Sequence, residues 1–338
     1  MSSRLRVING VFALSFIALI FAPAGCNDGL TGEPLVPTPI AFGDDGRRLL
    51  WQPAPGEKQC YHPDFSPDGT KLACRYSQGM EEPAELIILD VATLEITHIV
   101  PEEYCVMRPD WSPRGDWLAF QGSPPGESRA IWLCRPDGSA LHRVSDIIGV
   151  QPAWNADGSR VYYAGQTTPA EGLSVKYYDL ATGENVVVIP GAFRGTEYRN
   201  AVPSPDNLWL TYGTFNTGVA SGAADVVMAL SRIDGSSRRT VWPVSAVETD
   251  GGWPVDWSPD GRYVLLAYYS GNIVIGLWTY EVKTGVIRQL TLNPPDCAGQ
   301  PLMEGSWGPN GEVAFSPHDD YGRPPKRLGW LYLIDAPR

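Results

Sequence analysis

The sequence predicts an all-β fold: a six-bladed β-propeller of four-stranded antiparallel blades, closed by an N-terminal strand that pairs with the last blade. Three observations lead there. A turn motif recurs six times at nearly even spacing, β-rich runs fall four to a repeat, and an early run supplies the strand that the last repeat lacks.

The turn motif couples an aromatic residue to a tight turn. It reads Phe65-Ser66-Pro67-Asp68-Gly69, then Trp111-Ser112-Pro113-Arg114-Gly115, then Trp154-Asn155-Ala156-Asp157-Gly158. The fourth copy is degenerate, Pro203-Ser204-Pro205-Asp206-Asn207, and the last two are Trp257-Ser258-Pro259-Asp260-Gly261 and Trp307-Gly308-Pro309-Asn310-Gly311. Successive copies lie 46, 43, 49, 54 and 50 residues apart. Proline pre-sets the first central position of a type I turn, Asp or Asn suits the second, and Gly takes the left-handed position that closes the hairpin. Asn207, at the Gly position, is a residue type that tolerates that conformation.

A second strand follows each turn, over Lys71–Tyr76, Trp117–Gln121, Arg160–Ala164, Trp209–Gly213, Arg262–Tyr269 and Glu312–Ser316. A third apolar run follows a variable gap, as at Glu85–Asp90, Ala130–Arg135 and Gly329–Asp335. A second turn such as Pro136-Asp137-Gly138 then leads to a fourth run, for example Leu141–Ser145 or Ile287–Thr291, in five of the units. The sixth unit has no fourth run. Asp44-Asp45-Gly46 followed by Arg47–Trp51 matches the missing turn and strand, so residues 47–51 are expected beside 329–335. Such closure removes an exposed sheet edge.

This repeat resembles that of the TolB-like propellers. The likeness rests on the aromatic-Ser-Pro-Asp-Gly turn, a run such as Leu118-Ala119-Phe120, and Ile131-Trp132-Leu133 ahead of Asp137-Gly138. It covers about residues 43–338 and implies the fold, together with an envelope protein partner. TolB carries an additional N-terminal domain, for which residues 27–42 are too short. Peptidases with similar propellers carry an α/β-hydrolase domain; the sequence contains no Gly-x-Ser-x-Gly nucleophile elbow.

Ahead of the repeats, Arg4 and Arg6 precede the apolar run Val11–Ala22. About twelve apolar residues are too few to span a bilayer and fit the core of a secretory signal, so residues 1–25 read as a signal peptide. Two processing routes stand open. Ala22-Pro23-Ala24 suits ordinary signal peptidase and a soluble product, whereas Ala24-Gly25-Cys26 resembles a lipobox, with Pro23 where Leu is usual. Cys26 as a lipidated first residue is favoured, because residues 26–42 form a Gly-, Pro- and Thr-rich tether of the kind an anchored domain needs. The predicted location is the bacterial cell envelope, lipid-anchored and facing the periplasm, the membrane being touched only through that anchor.

Charge narrows the partners. The chain carries a net charge of −12, and loss of Arg4 and Arg6 with the signal leaves the mature form at −14. That sign disfavours nucleic acid and anionic lipid surfaces. Apart from Cys26, Cys60, Cys74, Cys105, Cys134 and Cys297 remain, an odd number that leaves at least one thiol unpaired. No Cys-x-x-Cys occurs, and no metal or cofactor is expected.

Candidate functional residues separate from repeated ones. Phe65, Trp111, Trp154, Trp257 and Trp307 share one repeat position and are expected to pack between blades. Asp64, Asp110 and Asp256 also share a position and are expected to accept backbone hydrogen bonds near a turn. His98 and His142 fall in outer strands, and His318-Asp319-Asp320 in a solvated loop. Alternating strand directions place the repeated turns on one face and the unequal loops on the other, where binding residues concentrate. The first residues of the innermost strands surround the channel mouth on that loop face: His62, Arg108, Gln151, Asn200, Trp253 and Glu304. Their diversity points to a binding module for a protein or peptide, with a glycan as the alternative ligand, and the protein is expected to be a monomer. A propeller enzyme, a polysaccharide lyase or glycosidase with His62 as base, Arg108 as charge clamp and Glu304 as acid, is the competing reading. A purely structural propeller is the third.

Overall fold

The computed structural model describes residues 46–79, 82–145, 147–168, 170–193, 195–216, 227–242, 250–270, 273–291, 302–318 and 330–337. The expected signal peptide, Cys26 and the expected 26–42 tether lie outside the described residues, as do Cys297, Asp319, Asp320 and residues 217–226, 243–249 and 292–301.

Within the described residues the strands form six four-stranded antiparallel sheets. The first blade is β2 (Gln59–Phe65), β3 (Lys71–Ser77), β4 (Ala84–Asp90) and β5 (Ile96–Val100). The second is β6 (Met107–Trp111), β7 (Leu118–Gly122), β8 (Ala130–Cys134) and β9 (His142–Arg143). The third is β10 (Ile148–Trp154), β11 (Arg160–Gln166), β12 (Ser174–Asp179) and β13 (Asn185–Ile189). The fourth is β14 (Thr196–Pro203), β15 (Trp209–Asn216), β16 (Val227–Arg232) and β17 (Arg239–Trp242). The fifth is β18 (Asp250–Trp257), β19 (Tyr263–Ser270), β20 (Ile273–Glu281) and β21 (Ile287–Gln289). The sixth combines β22 (Leu302–Trp307), β23 (Glu312–His318) and β24 (Leu331–Asp335) with the N-terminal β1 (Arg48–Trp51). The innermost strands β2, β6, β10, β14, β18 and β22 neighbour one another in a closed cycle. That cycle is the ring of a propeller.

Closure follows the expected pairing. β1 runs antiparallel to β24, with Arg48 opposite Leu333 and Leu49 opposite Tyr332. The Arg48 guanidinium reaches across β24 to Glu312 on β23, 2.6 Å away. Trp51 is buried in a cluster that holds Leu331 and Leu333 of the sixth blade with Phe65, Leu72 and Ile87 of the first, so the closing strand packs on both.

The turns are built from their own side chains. In the first blade the Gly69 N–H donates to the Ser66 carbonyl at 2.8 Å, and the Asp68 carboxylate accepts from the Ser66 hydroxyl at 2.6 Å and the Thr70 N–H at 3.0 Å. Arg114 stands where the second blade lacks this Asp, and Asp116 takes the Ser112 hydroxyl at 3.0 Å instead. Asn207 adopts the left-handed conformation at φ 57°, as its place in the degenerate turn requires.

The repeated aromatics are core. Phe65, Trp111, Trp154, Trp257 and Trp307 are between 5 and 8 % exposed. Each lies in a cluster with residues of the preceding blade: Trp111 with Ala73, Leu86 and Ile88, and Trp154 with Ala119, Ile131 and Leu133. Where the fourth blade has Pro203, the clustered Tyr198 and Tyr212 fill the seam, edge to face at 5.6 Å between ring centroids. Burying such rings contributes about 2–3 kcal/mol apiece before entropy is counted.

Outer strands are shorter than their apolar runs. The run over 141–145 yields only His142–Arg143, because the Val144 and Ser145 N–H groups converge on the Ile131 carbonyl while the Ser145 hydroxyl accepts the Ile131 N–H at 2.8 Å. Thr291 ends β21 in the same way, accepting the Leu277 N–H at 2.8 Å. A hydroxyl side chain thereby replaces the ladder at the strand's end.

Candidate functional site

Three positions before each aromatic, or before Pro203 in the fourth blade, the innermost strands carry a slot occupied by His62, Arg108, Gln151, Asn200, Pro254 and Glu304. In the first four blades this residue is left-handed, with φ of 49°, 48°, 58° and 49°. Non-glycine residues rarely adopt that conformation, and here it coincides with a break in register between each inner strand and its neighbour. Pro63, Pro109 and Pro152 follow three of these residues and have no N–H to give the ladder, so a bulge is the local solution. The bulge turns the slot side chains onto a cavity of about 80 Å³ on the propeller axis, lined by His62, Arg108, Gln151, Asn200 and Glu304. That volume takes several waters or a small ligand group.

Neighbouring slots are tied together. The Arg108 N–H donates to Nδ1 of His62 at 3.3 Å, and the Asn200 N–H donates to Oε1 of Gln151 at 3.0 Å. With Nδ1 accepting, the His62 proton sits on Nε2, which faces Oε2 of Glu304 at 3.3 Å. The other Glu304 oxygen pairs with the Arg108 guanidinium. Glu304 thus joins the first, second and sixth blades across the mouth. On the opposite side Oδ1 of Asn200 is buried with no hydrogen-bond partner among the described residues.

Asp64, Asp110 and Asp256 line the same cavity one position before the aromatics. They accept backbone hydrogen bonds, from the next blade rather than from a turn. The N–H groups of Trp111, Trp154 and Trp307 reach Asp64, Asp110 and Asp256 at 2.6, 2.6 and 2.7 Å. Burial pushes Asp64 up to about 7, with Asp256 adding to the rise, and pushes Asp256 up to about 6. Burial, then the neighbouring Asp64, holds Asp110 well above the ordinary carboxylate range. These carboxylates stitch blades together and repel one another across the axis.

One expected mouth residue lies elsewhere. Trp253 stands one position before the slot, which Pro254 occupies, and its ring comes within 2.5 Å of where a Cβ on Gly213 would be. Trp253 therefore covers the bare backbone of β15 in the fourth blade and is not part of the cavity lining. A one-residue step along a strand reverses the side chain's direction. His98 and His142 are exposed on outer strands, as their positions suggested. Among the described residues no group of three or more His, Cys, Asp or Glu side chains is placed to hold a metal ion. Cys60, Cys74, Cys105 and Cys134 are free thiols, and burial pushes Cys134 up to about 12.

No protein-family model matches the chain. Over 217 residues, 62 % of the chain, it is 24 % identical to the uncharacterized peptidase YuxL of Bacillus subtilis, and it spans 29 % of that protein's length. Among solved structures it is similar to a protein described as TolB from Agrobacterium tumefaciens, with TM-score 0.61 and 20 % identity over 86 % of this chain and 94 % of that one. It is also similar to TolB from Acinetobacter baumannii, with TM-score 0.53 and 18 % identity over 68 % and 53 % of the two chains. An oligogalacturonate lyase in complex with manganese matches at TM-score 0.53 and 17 % identity, over 83 % of this chain and 90 % of that one. These likenesses establish the fold: the chain is a TolB-like, six-bladed β-propeller.

Proposed function

We propose that the chain is an envelope-anchored binding module that takes a protein or peptide partner at its channel mouth. The observation that carries this reading is the slot ring. Five unlike polar residues, His62, Arg108, Gln151, Asn200 and Glu304, face one cavity, and four of them sit there in a left-handed backbone. Residues held in sparsely populated conformations cluster at ligand sites, where the surrounding structure over-determines them. The buried Oδ1 of Asn200 gives a ligand N–H an acceptor. TolB proteins share the fold, which supports an envelope setting, and the Arg4-to-Cys26 segment supports export and lipidation.

Pull-down from detergent-solubilised envelope tests the reading. Arg108→Ala combined with Gln151→Ala is expected to lose the partner while its thermal melt stays near the wild type's. Retention of the partner by this double variant would place the binding surface elsewhere. Mass spectrometry checks the anchor: a diacylated or triacylated N-terminus at Cys26 is expected, and an unmodified N-terminus at Gly25 would mean ordinary secretion.

A glycan-cleaving enzyme is the second reading, favoured by the joining of His62, Glu304 and Arg108 and by the fold shared with an oligogalacturonate lyase. Its weakness is chemical. Both imidazole nitrogens of His62 are engaged, Nδ1 by the Arg108 N–H and Nε2 by Glu304, so the ring has no lone pair to offer as a base. Turnover of a uronate oligomer that disappears in His62→Ala would install this reading in place of ours.

A further inference from the structure

A second cavity of about 510 Å³ opens beside the channel, among the second, third and fourth blades. Its wall is formed by the starts of β6, β10 and β14 and by the chain around the β7–β8 and β11–β12 connections, which puts it on the loop face. It shares Arg108 and Gln151 with the channel lining. Such a volume accommodates a short peptide stretch or a small ligand.

Three guanidiniums converge there: Arg108, Arg129 and Arg199. Glu197 is the one carboxylate among the described residues that line it. This is opposite to the chain as a whole, whose net charge is −12. Burial lowers the Arg199 guanidinium from its ordinary value; Glu197 opposes that, while Arg108 and Arg129 push it further down. Arg108 is shared with Glu304 at the channel mouth, and three guanidiniums against the single lining carboxylate of Glu197 still make the pocket a cationic one that favours an incoming anion.

The rest of the wall says what kind of anion. Met107, Ile148, Val150 and Leu173 give it aliphatic sides, and no aromatic ring stands among the described lining residues for a sugar face to stack on. Gln121 and Gln166 are anchored through their N–H groups, on Sδ of Met107 at 3.4 Å and on the Glu171 carbonyl at 2.5 Å. Their amide oxygens are acceptors of the kind a peptide N–H needs.

We propose that this pocket receives an acidic peptide segment of the partner, a carboxylate on the three arginines with an adjoining aliphatic side chain on the Met107–Leu173 wall. The inference rests on the binding-module reading and names the ligand class that extends outward from the channel mouth. Binding of this kind weakens with salt, because Arg129 is exposed to solvent and its share of the attraction is screened.

The experiment pans a phage library of random dodecapeptides against the full chain and then against Arg129→Glu and Arg199→Gln, each checked by thermal melt. Arg129 is exposed, so its variant is expected to fold even if Arg199→Gln does not. The selected peptides are expected to be enriched in Asp and Glu beside Leu, Ile or Val, and to bind either variant about tenfold more weakly. Selected peptides without acidic enrichment, or bound equally by the variants, overturn the acidic-peptide pocket and leave a peptide-binding module standing. A library that yields no binder removes both. A galacturonate trimer that binds more tightly than any selected peptide, and is lost in the same variants, replaces the peptide by an acidic glycan.

Discussion

Two rings run around the propeller axis on the same inner strands, three residues apart, and they have opposite characters. The aromatic ring of Phe65, Trp111, Trp154, Trp257 and Trp307 is uniform, extended and buried between blades. The slot ring of His62, Arg108, Gln151, Asn200 and Glu304 is chemically mixed, and left-handed in four of its five members. One ring obeys every local preference of a strand and the other departs from it. Agreement across levels of structure marks what holds a fold, and a supported departure marks what the fold is for.

The sharpest way to break this contrast is to damage each ring in turn. Trp111→Ala is expected to lower stability by about 3–5 kcal/mol in urea denaturation, because the ring fills the seam between the first two blades. A loss under about 1 kcal/mol would mean the seam collapses around the gap, and the aromatic ring would not be the frame.

Between the two rings lie Asp64, Asp110 and Asp256, which supply a pH signature. Asp64 titrates at about 7 and Asp256 at about 6 in the folded chain, against an ordinary value of 3.8. The folded state therefore holds more protons than the unfolded state across that window. Their contribution to stability is fully present below about pH 4 and is lost as the pH rises to about 7, on the order of 3–4 kcal/mol for each carboxylate. Chemical denaturation across that range should show the decline, and Asp64→Asn should flatten it. A stability that rises with pH in the wild type and not in Asp64→Asn would reverse the sign assigned here.

The smallest effect is the most diagnostic. Asn200 combines a φ of 49° with a buried oxygen lacking a partner among the described residues. Asn200→Gly removes both, and is expected to raise stability by about 0.5–1 kcal/mol while weakening partner binding. A loss of stability would show that the slot contributes to the frame.

The frame was readable in the sequence because turn chemistry is local. Ser66-Pro67-Asp68-Gly69 specifies its hairpin without help, six copies count the blades, and the missing last strand exposes the closure. The slot conformation was harder to see. Left-handed His62, Arg108 and Gln151 carry no glycine to announce them, although a proline after each was a faint sign of a broken ladder. Trp253 was misplaced because counting inward from an irregular strand slips by one residue where Pro254 fills the slot. Arg108, Arg129 and Arg199 come from β6, the β7–β8 connection and β14, and only the ring brings them to one pocket.

Closure through β1 also orders events in time. Arg48 and Glu312 meet across 264 residues, so β1, the first strand among the described residues, waits for most of the chain before it can pair. Until then the growing stack has an open edge at either end, and each is a template for a foreign strand. A chain that stops short of β24 leaves its N-terminal strand without a seat and the sixth blade unfinished. Completeness of the ring is thereby written into one short strand pairing, β1 with β24.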